Sequence, residues 1–142
     1  MATRDLHNNI APKRAISPVS VADNTAAVSQ IIDMSGYESL EFVILAGSLA
    51  DADATFTVLV EDGAASNLSD AAAVDDKFLL GTEAQASFVF SSDDKVFKIG
   101  YIGSQRYVRL TVTPAGNASA ALIAAVAILG HPHNRPTVNP PA

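Results

Sequence analysis

Two histidines, His131 and His133, flank a proline at a spacing that can turn both imidazoles toward one metal ion. The chain has no cysteine, however, and no carboxylate near them in sequence to complete a ligand set. A surface role is expected of both. The acids Asp51, Asp53, Glu61 and Asp62 are near enough in sequence to meet across a hairpin and hold Ca²⁺, yet they lack the D-x-D-x-D-G spacing with a distal Glu. A solvated acidic face is expected there. Gly100-Tyr101-Ile102-Gly103-Ser104 has glycines spaced as in a phosphate-binding turn, but neither the Gly-Lys-Ser/Thr ending nor a following helix pattern, so it reads as a strand end. The lack of cysteine excludes thiol nucleophiles, disulfides and zinc-thiolate sites. There is no G-x-S-x-G elbow, and the three histidines all fall near the ends of the chain. A hydrolytic triad would have to draw its base from a flexible end, so no enzyme activity and no cofactor are expected.

The elements able to position any site are strands. Apolar residues alternate with polar ones in runs bounded by turn residues, the pattern of a sandwich or barrel. The expected strands are 26–33, 39–46, 54–61, 87–90, 96–102, 107–113 and 119–129. In Thr55-Phe56-Thr57-Val58-Leu59-Val60 the odd and even positions take opposite faces, and Val108, Leu110 and Val112 alternate with Tyr107, Arg109, Thr111 and Thr113. The expected core is Phe42, Ile44, Phe56, Val58, Val108, Leu110 and Val112. The Ala-rich run Ala118–Leu129 has helix-forming composition, but its length and β-branched residues favour a buried strand. Residues 64–73, with Leu68 their only large apolar side chain, are expected as a surface loop with room for one helical turn after Asn67 or Ser69.

A chain of 142 residues suits one domain. Pro12, Pro18 and the Asn8-Asn9 pair break helical periodicity at one end, and the prolines from Pro132 to Pro141 do so at the other. The expected organisation is an extended N-terminal arm over 1–18, a domain over 19–130 and a Pro-rich tail over 131–142. The fold class is all-β, an antiparallel sandwich of about eight strands for which a jelly roll is one available topology.

Charge is segregated along the chain. Thirteen of the fifteen acids fall within residues 33–94 beside a lone Lys77, while 95–142 carry Lys95, Lys98, Arg106, Arg109 and Arg135 and no acid. A net charge of −6 disfavours nucleic acid as a partner. The opposed patches suit either two solvated surfaces or a registered contact between subunits. The apolar run 118–130 is too short for a membrane-spanning helix, which needs about 20 residues. Residues 1–14 lack the apolar core of a secretory leader. No export and no membrane partner are therefore expected.

Three stretches carry a resemblance: Ile32–Phe42 (IDMSGYESLEF), Lys98–Arg109 (KIGYIGSQRYVR) and Leu129–His133 (LGHPH). They resemble a group of small structural proteins of tailed bacteriophages and prophages, with capsid decoration (cement) proteins the nearest match. The resemblance covers most of residues 20–135 and transfers no catalytic residue. It implies a virion component on the capsid surface, bound to the major capsid protein and to itself, as a homotrimer at threefold sites. Other implied roles are a tail or head-completion connector and a carbohydrate-binding attachment module, although sugar sites favour exposed aromatics and this chain has no Trp. The expected capsid contact is the arm Ala2–Pro18. Its Leu6, Ile10 and Ile16 are too widely spaced for a core of their own and are interleaved with Arg4, Lys13 and Arg14, so the arm should be disordered until it meets an acidic capsid surface.

Overall fold

Alternation in the sequence becomes alternation in burial. Along Thr55–Val60 and Tyr107–Val112 every second side chain is enclosed, and all seven expected core residues are buried. The computed structural model describes residues 4–141. Its strands are β1 (Ile10–Val21), β2 (Ala27–Val28), β3 (Ile32–Asp33), β4 (Tyr37–Leu49), β5 (Thr55–Gly63), β6 (Ala72–Ala73), β7 (Leu79–Leu80), β8 (Phe88–Val89), β9 (Val96–Tyr101), β10 (Tyr107–Ala115) and β11 (Ala121–Pro132), with a short α-helix, α1 (Glu83–Ala86), before β8 and single 3-10 turns at His7–Asn9 and Asp76–Phe78.

These strands form two antiparallel sheets. One has the order β1-β11-β4-β9-β7; in the other β10 and β5 are central, flanked by β2 and β3 on one side and by β6 and β8 on the other. Following the chain, β1, β4, β9 and β11 lie in the first sheet and β2/β3, β5, β8 and β10 in the second, so successive hairpins straddle the sandwich. This is the jelly-roll connection. Between the sheets Phe56 stacks on Phe88 at 4.9 Å, and Phe88 on Phe97 at 5.1 Å, so one ring column ties β5 and β8 to β9. The inner face of β11 is mostly small, with Ala121, Ala125 and Ala127 buried beside Ile123 and Leu129, which leaves room for these larger groups opposite.

Short pieces finish the edges. The Glu83 carboxylate and the Ser87 hydroxyl accept the N–H groups of Val60 (2.8 Å) and Val58 (3.0 Å), replacing a strand partner along that stretch of β5. A Thr82–Gln85 capping box holds α1. The 64–73 loop lies at the surface as expected, but Leu68 turns inward and is buried, and the Asp70 carboxylate gathers the N–H groups of Ala64 and Ala65.

The N-terminal arm requires correction. The boundary drawn at residue 18 falls inside β1, which pairs in register with β11 from Ile10↔Gly130 to Val21↔Ala121 and buries Ala11, Ala15, Ile16 and Val21. Its prolines misdirect because β1 is an edge strand. Pro12 sits in the ladder where only one side must bond, and Pro18 falls in the irregularity between Ile16 and Val19. Ala2, the first residue of the expected arm, lies outside the described residues. The boundary at 130 also shifts, because β11 continues to Pro132, and the segment beyond folds back: Thr137 donates through N–H to Asn8 O (3.1 Å) and through its hydroxyl to Ile10 O (2.7 Å).

Candidate functional site

The outer face of the five-stranded sheet is largely apolar, with Arg14, Glu41 and Lys98 as the charged side chains of its ladder. Because inward residues alternate with outward ones, the ladder sets the outward side chains in rows. One row runs Pro12, Ile128, Glu41, Gly100, Leu80; the next Arg14, Val126, Val43, Lys98; the third Ala124, Leu45, Val96. Leu122 and Val19 extend the surface at one end. Leu45, Leu122 and Val96 are 45%, 47% and 61% exposed. Monomeric soluble proteins rarely leave a contiguous apolar patch beyond a few hundred Å² uncovered. At the Leu122 end the face dips into a groove of about 500 Å³ floored by Leu45, Gly47, Leu122 and Ala124 and walled by Pro18, Val19 and Val96.

Glycine keeps part of this face low. A Cβ on Gly100 would lie 2.6 Å from Glu41 Oε2 and 3.0 Å from Leu80 Cβ, so the missing side chain is the space across which the Glu41 side chain lies. Burial there pushes the Glu41 carboxyl above its ordinary range, while Lys98 one row away pulls it back. On the interior strands β11, β4 and β9 the face is thus electrically balanced, one acid against one base.

The opposite outer face is of another kind. Thr111, Thr113, Thr55 and Thr57 line it, and Arg109 pairs with Glu61 at 3.0 Å across β10 and β5. At its end Arg106 holds Asp33 through two hydrogen bonds, 2.9 and 3.0 Å, which lower the Asp33 carboxyl. Two of the five cations of residues 95–142 are therefore paired with acids of the same chain, which removes them from the registered contact between subunits that the charge segregation suits. Beneath this rim the buried Tyr101 donates to Asp62 Oδ2 at 2.6 Å and accepts from Gln105 N–H at 3.1 Å, and burial followed by the Asp62 bond raises the phenol's pKa. Tyr101→Phe leaves the Gln105 N–H without its acceptor and Asp62 without its donor, and is expected to cost about 1–3 kcal/mol in urea denaturation. A loss under a few tenths would show that water replaces the hydroxyl.

The sequence-expected sites are dispersed. Asp51 and Asp53 precede β5 and Glu61 and Asp62 end it, most of a strand apart, so the four do not meet. Asp51 instead caps the N–H groups of Asp53 (2.9 Å) and Ala118 (2.7 Å), which lower its carboxyl. The His131 ring meets Ser39 Oγ at 2.8 Å and His133 meets Glu38, fastening the end of β11 and the residue that follows it onto β4. Gly103 packs against the Tyr101 ring, the structural reason for glycine in that stretch. Among the described residues no three His, Asp or Glu side chains gather as a metal site.

Of the expected capsid-contact residues, Ile16 is enclosed in the core and is unavailable to any partner. Ile10 is half-buried under Thr137, and Lys13, also half-buried, helps lower the Asp33 carboxyl. Arg14 is exposed and bonds Ser17 Oγ (2.9 Å) and Gln30 Oε1 (3.1 Å). Arg4 is exposed, and Leu6 is 67% exposed ahead of β1. The apolar outer face itself went unread, although a signal existed: β4 and β11 read as nearly continuous apolar runs, a pattern that implies cover on both faces.

No family model matches the chain, and no curated protein matches it. Solved structures do. PBSX exported protein XepA overlaps with a TM-score of 0.55 at 14% identity, covering 90% of this chain and 39% of that one. The Clostridium thermocellum xylanase 10B chain with CBM22-1 and GH10 modules, complexed with xylohexaose, overlaps at 0.51 and 10% identity, covering 94% and 28%. SPBc2 prophage-derived protein YomS overlaps at 0.43 and 10% identity, covering 82% and 94%. The chain thus spans well under two thirds of the length of the first two. At such identities the likeness is one of fold, and it defines the class: an antiparallel β-sandwich domain.

Proposed function

We propose that the chain is a non-enzymatic structural subunit of a tailed-phage particle, and more narrowly a decoration protein that sits on the major capsid protein at the head surface. The observation that carries the reading is the segment ahead of β1, where exposed Arg4 and the 67%-exposed Leu6 offer a basic and an apolar group to another protein. The sequence resemblance supplies the phage context. In this reading Arg4 and Leu6, exposed ahead of β1, reach the capsid, and Arg14 adds charge at the same edge. Each copy binds weakly and the lattice multiplies the contact.

The test is co-sedimentation of purified protein with empty heads of the phage whose genome carries the chain, counting bound copies per head. Hundreds per head are expected. A single ring's worth would indicate a connector, and capture by insoluble xylan in place of heads a sugar-binding module; either overturns the decoration reading. A doubly substituted Arg4→Glu, Leu6→Asp protein should stay folded and bind heads at least about ten-fold more weakly, since burying one leucine contributes about 1.5–3 kcal/mol.

A further inference from the structure

We propose that the apolar outer face of the five-stranded sheet is covered by the same face of a second copy, two sandwiches packing back to back about a twofold axis. The inference goes beyond the decoration reading, whose capsid contact lies ahead of β1, by naming the occupant of that face.

Size is the first argument. Some nine residues on each of the long strands β1, β11 and β4 and the six of β9, rising about 3.3 Å each on strands about 4.8 Å apart, give a face on the order of 500 Å². Two such faces pressed together bury on the order of 1,000 Å², about the least that a specific protein–protein interface needs. Charge is the second. Each chain carries −6, so most surfaces of one copy repel another. This face presents one acid, Glu41, against two bases, Lys98 a row away and Arg14 at the β1 edge, so it carries none of the acidic excess that sets other surfaces of two copies against each other. The face opposite sets Val28, Leu59 and Val89 among its threonines and the Arg109–Glu61 pair, so its apolar residues are interrupted by polar ones. Shape is the third. The rows of Val43, Val126, Leu45 and Ala124 present short side chains, and Gly100 keeps the Glu41 side chain low across the sheet, so two twisted sheets can approach to the roughly 10 Å of face-to-face packing.

Sedimentation equilibrium tests this on the full chain. At about 100 µM the protein should run at twice its 14.7 kDa mass, dissociating on dilution. Leu45→Glu and, separately, Val126→Lys should keep the strand circular dichroism signature and weaken self-association at least ten-fold, while Thr57→Lys on the other face leaves it unchanged. A monomeric wild type at that concentration, or a Leu45→Glu protein that associates as tightly as wild type, overturns the inference. So does a Leu45→Glu protein that loses head binding with its association unaltered, because the capsid would then own the face. A Leu45→Glu monomer that still decorates heads upholds it, and a wild-type dimer that binds no heads upholds it while sinking the decoration reading.

Discussion

Deleting residues 2–14 is expected to unfold the domain rather than free it from a partner. The cut removes Ile10 through Arg14, the half of β1 that lies opposite Gly130 through Val126, and with it buried Ala11. Ala15 and Ile16, which seat in the core, would hang on a strand with no start. Each lost ladder hydrogen bond costs about 1 kcal/mol net, and orphaned buried groups cost more. Set against a typical total of about 5–15 kcal/mol, the loss exhausts most of the margin. The newly bared edge, β11 from Val126 to Leu129, is apolar and unpaired, a template for aggregation. The truncated protein should therefore be recovered insoluble or lacking a cooperative melt. A soluble product melting within a few degrees of wild type would show that β1 is an accessory, as the sequence alone implied.

Phe56→Ala should be the costliest single truncation in the core. Its ring is buried, stacks on Phe88, and begins the column that reaches β9 through Phe97, so its removal opens a void where the two sheets are tied together. Large-to-small changes of this kind cost about 3–5 kcal/mol. For a domain of this size that lowers the melting temperature by roughly 10 °C or more. Phe56→Leu, which keeps most of the volume, should cost distinctly less. Urea denaturation of the two variants checks the ordering; equal losses would mean that ring stacking, rather than filled volume, is what Phe56 contributes.

Much of the sandwich was legible because its long strands are half-exposed. In β5 and β10 threonine and charge alternate with Phe, Val and Leu, which fixes both the strand and its inward side, and the seven core residues named from that pattern are buried. β1 was illegible for the opposite reason. Its edge position tolerates Pro12 and Pro18, Lys13 and Arg14 mask the alternation, and an irregularity breaks the period between Ile16 and Val19. β6 and β7 are two residues each, too short to show a period, while the strand expected over 26–33 is present as two pieces, β2 and β3. The candidate site was not read from the sequence. Val43, Leu45, Ala124 and Val126 make β4 and β11 nearly continuous apolar runs, the pattern of strands covered on both sides, and the fold covers only one. Capsid contacts read from Leu6, Ile10 and Ile16 assumed a free arm, whereas Ile16 belongs to the core and only Leu6 stands well clear of the sheet.

The order of strands in the five-stranded sheet bears on how the chain is made. β11 lies between β1 and β4 and is the partner of both, yet the ribosome delivers it after every other strand. Until residues 121–132 emerge, β1 has no ladder to join and β4 lacks the neighbour it bonds through ten residue pairs. Closing the sheet needs contacts between distant parts of the chain, which form slowly. The domain therefore cannot fold piecewise as it is translated. A nascent chain arrested between β10 and β11 would hold two apolar strands waiting for a third, and that is the stage at which it most needs protection from its neighbours.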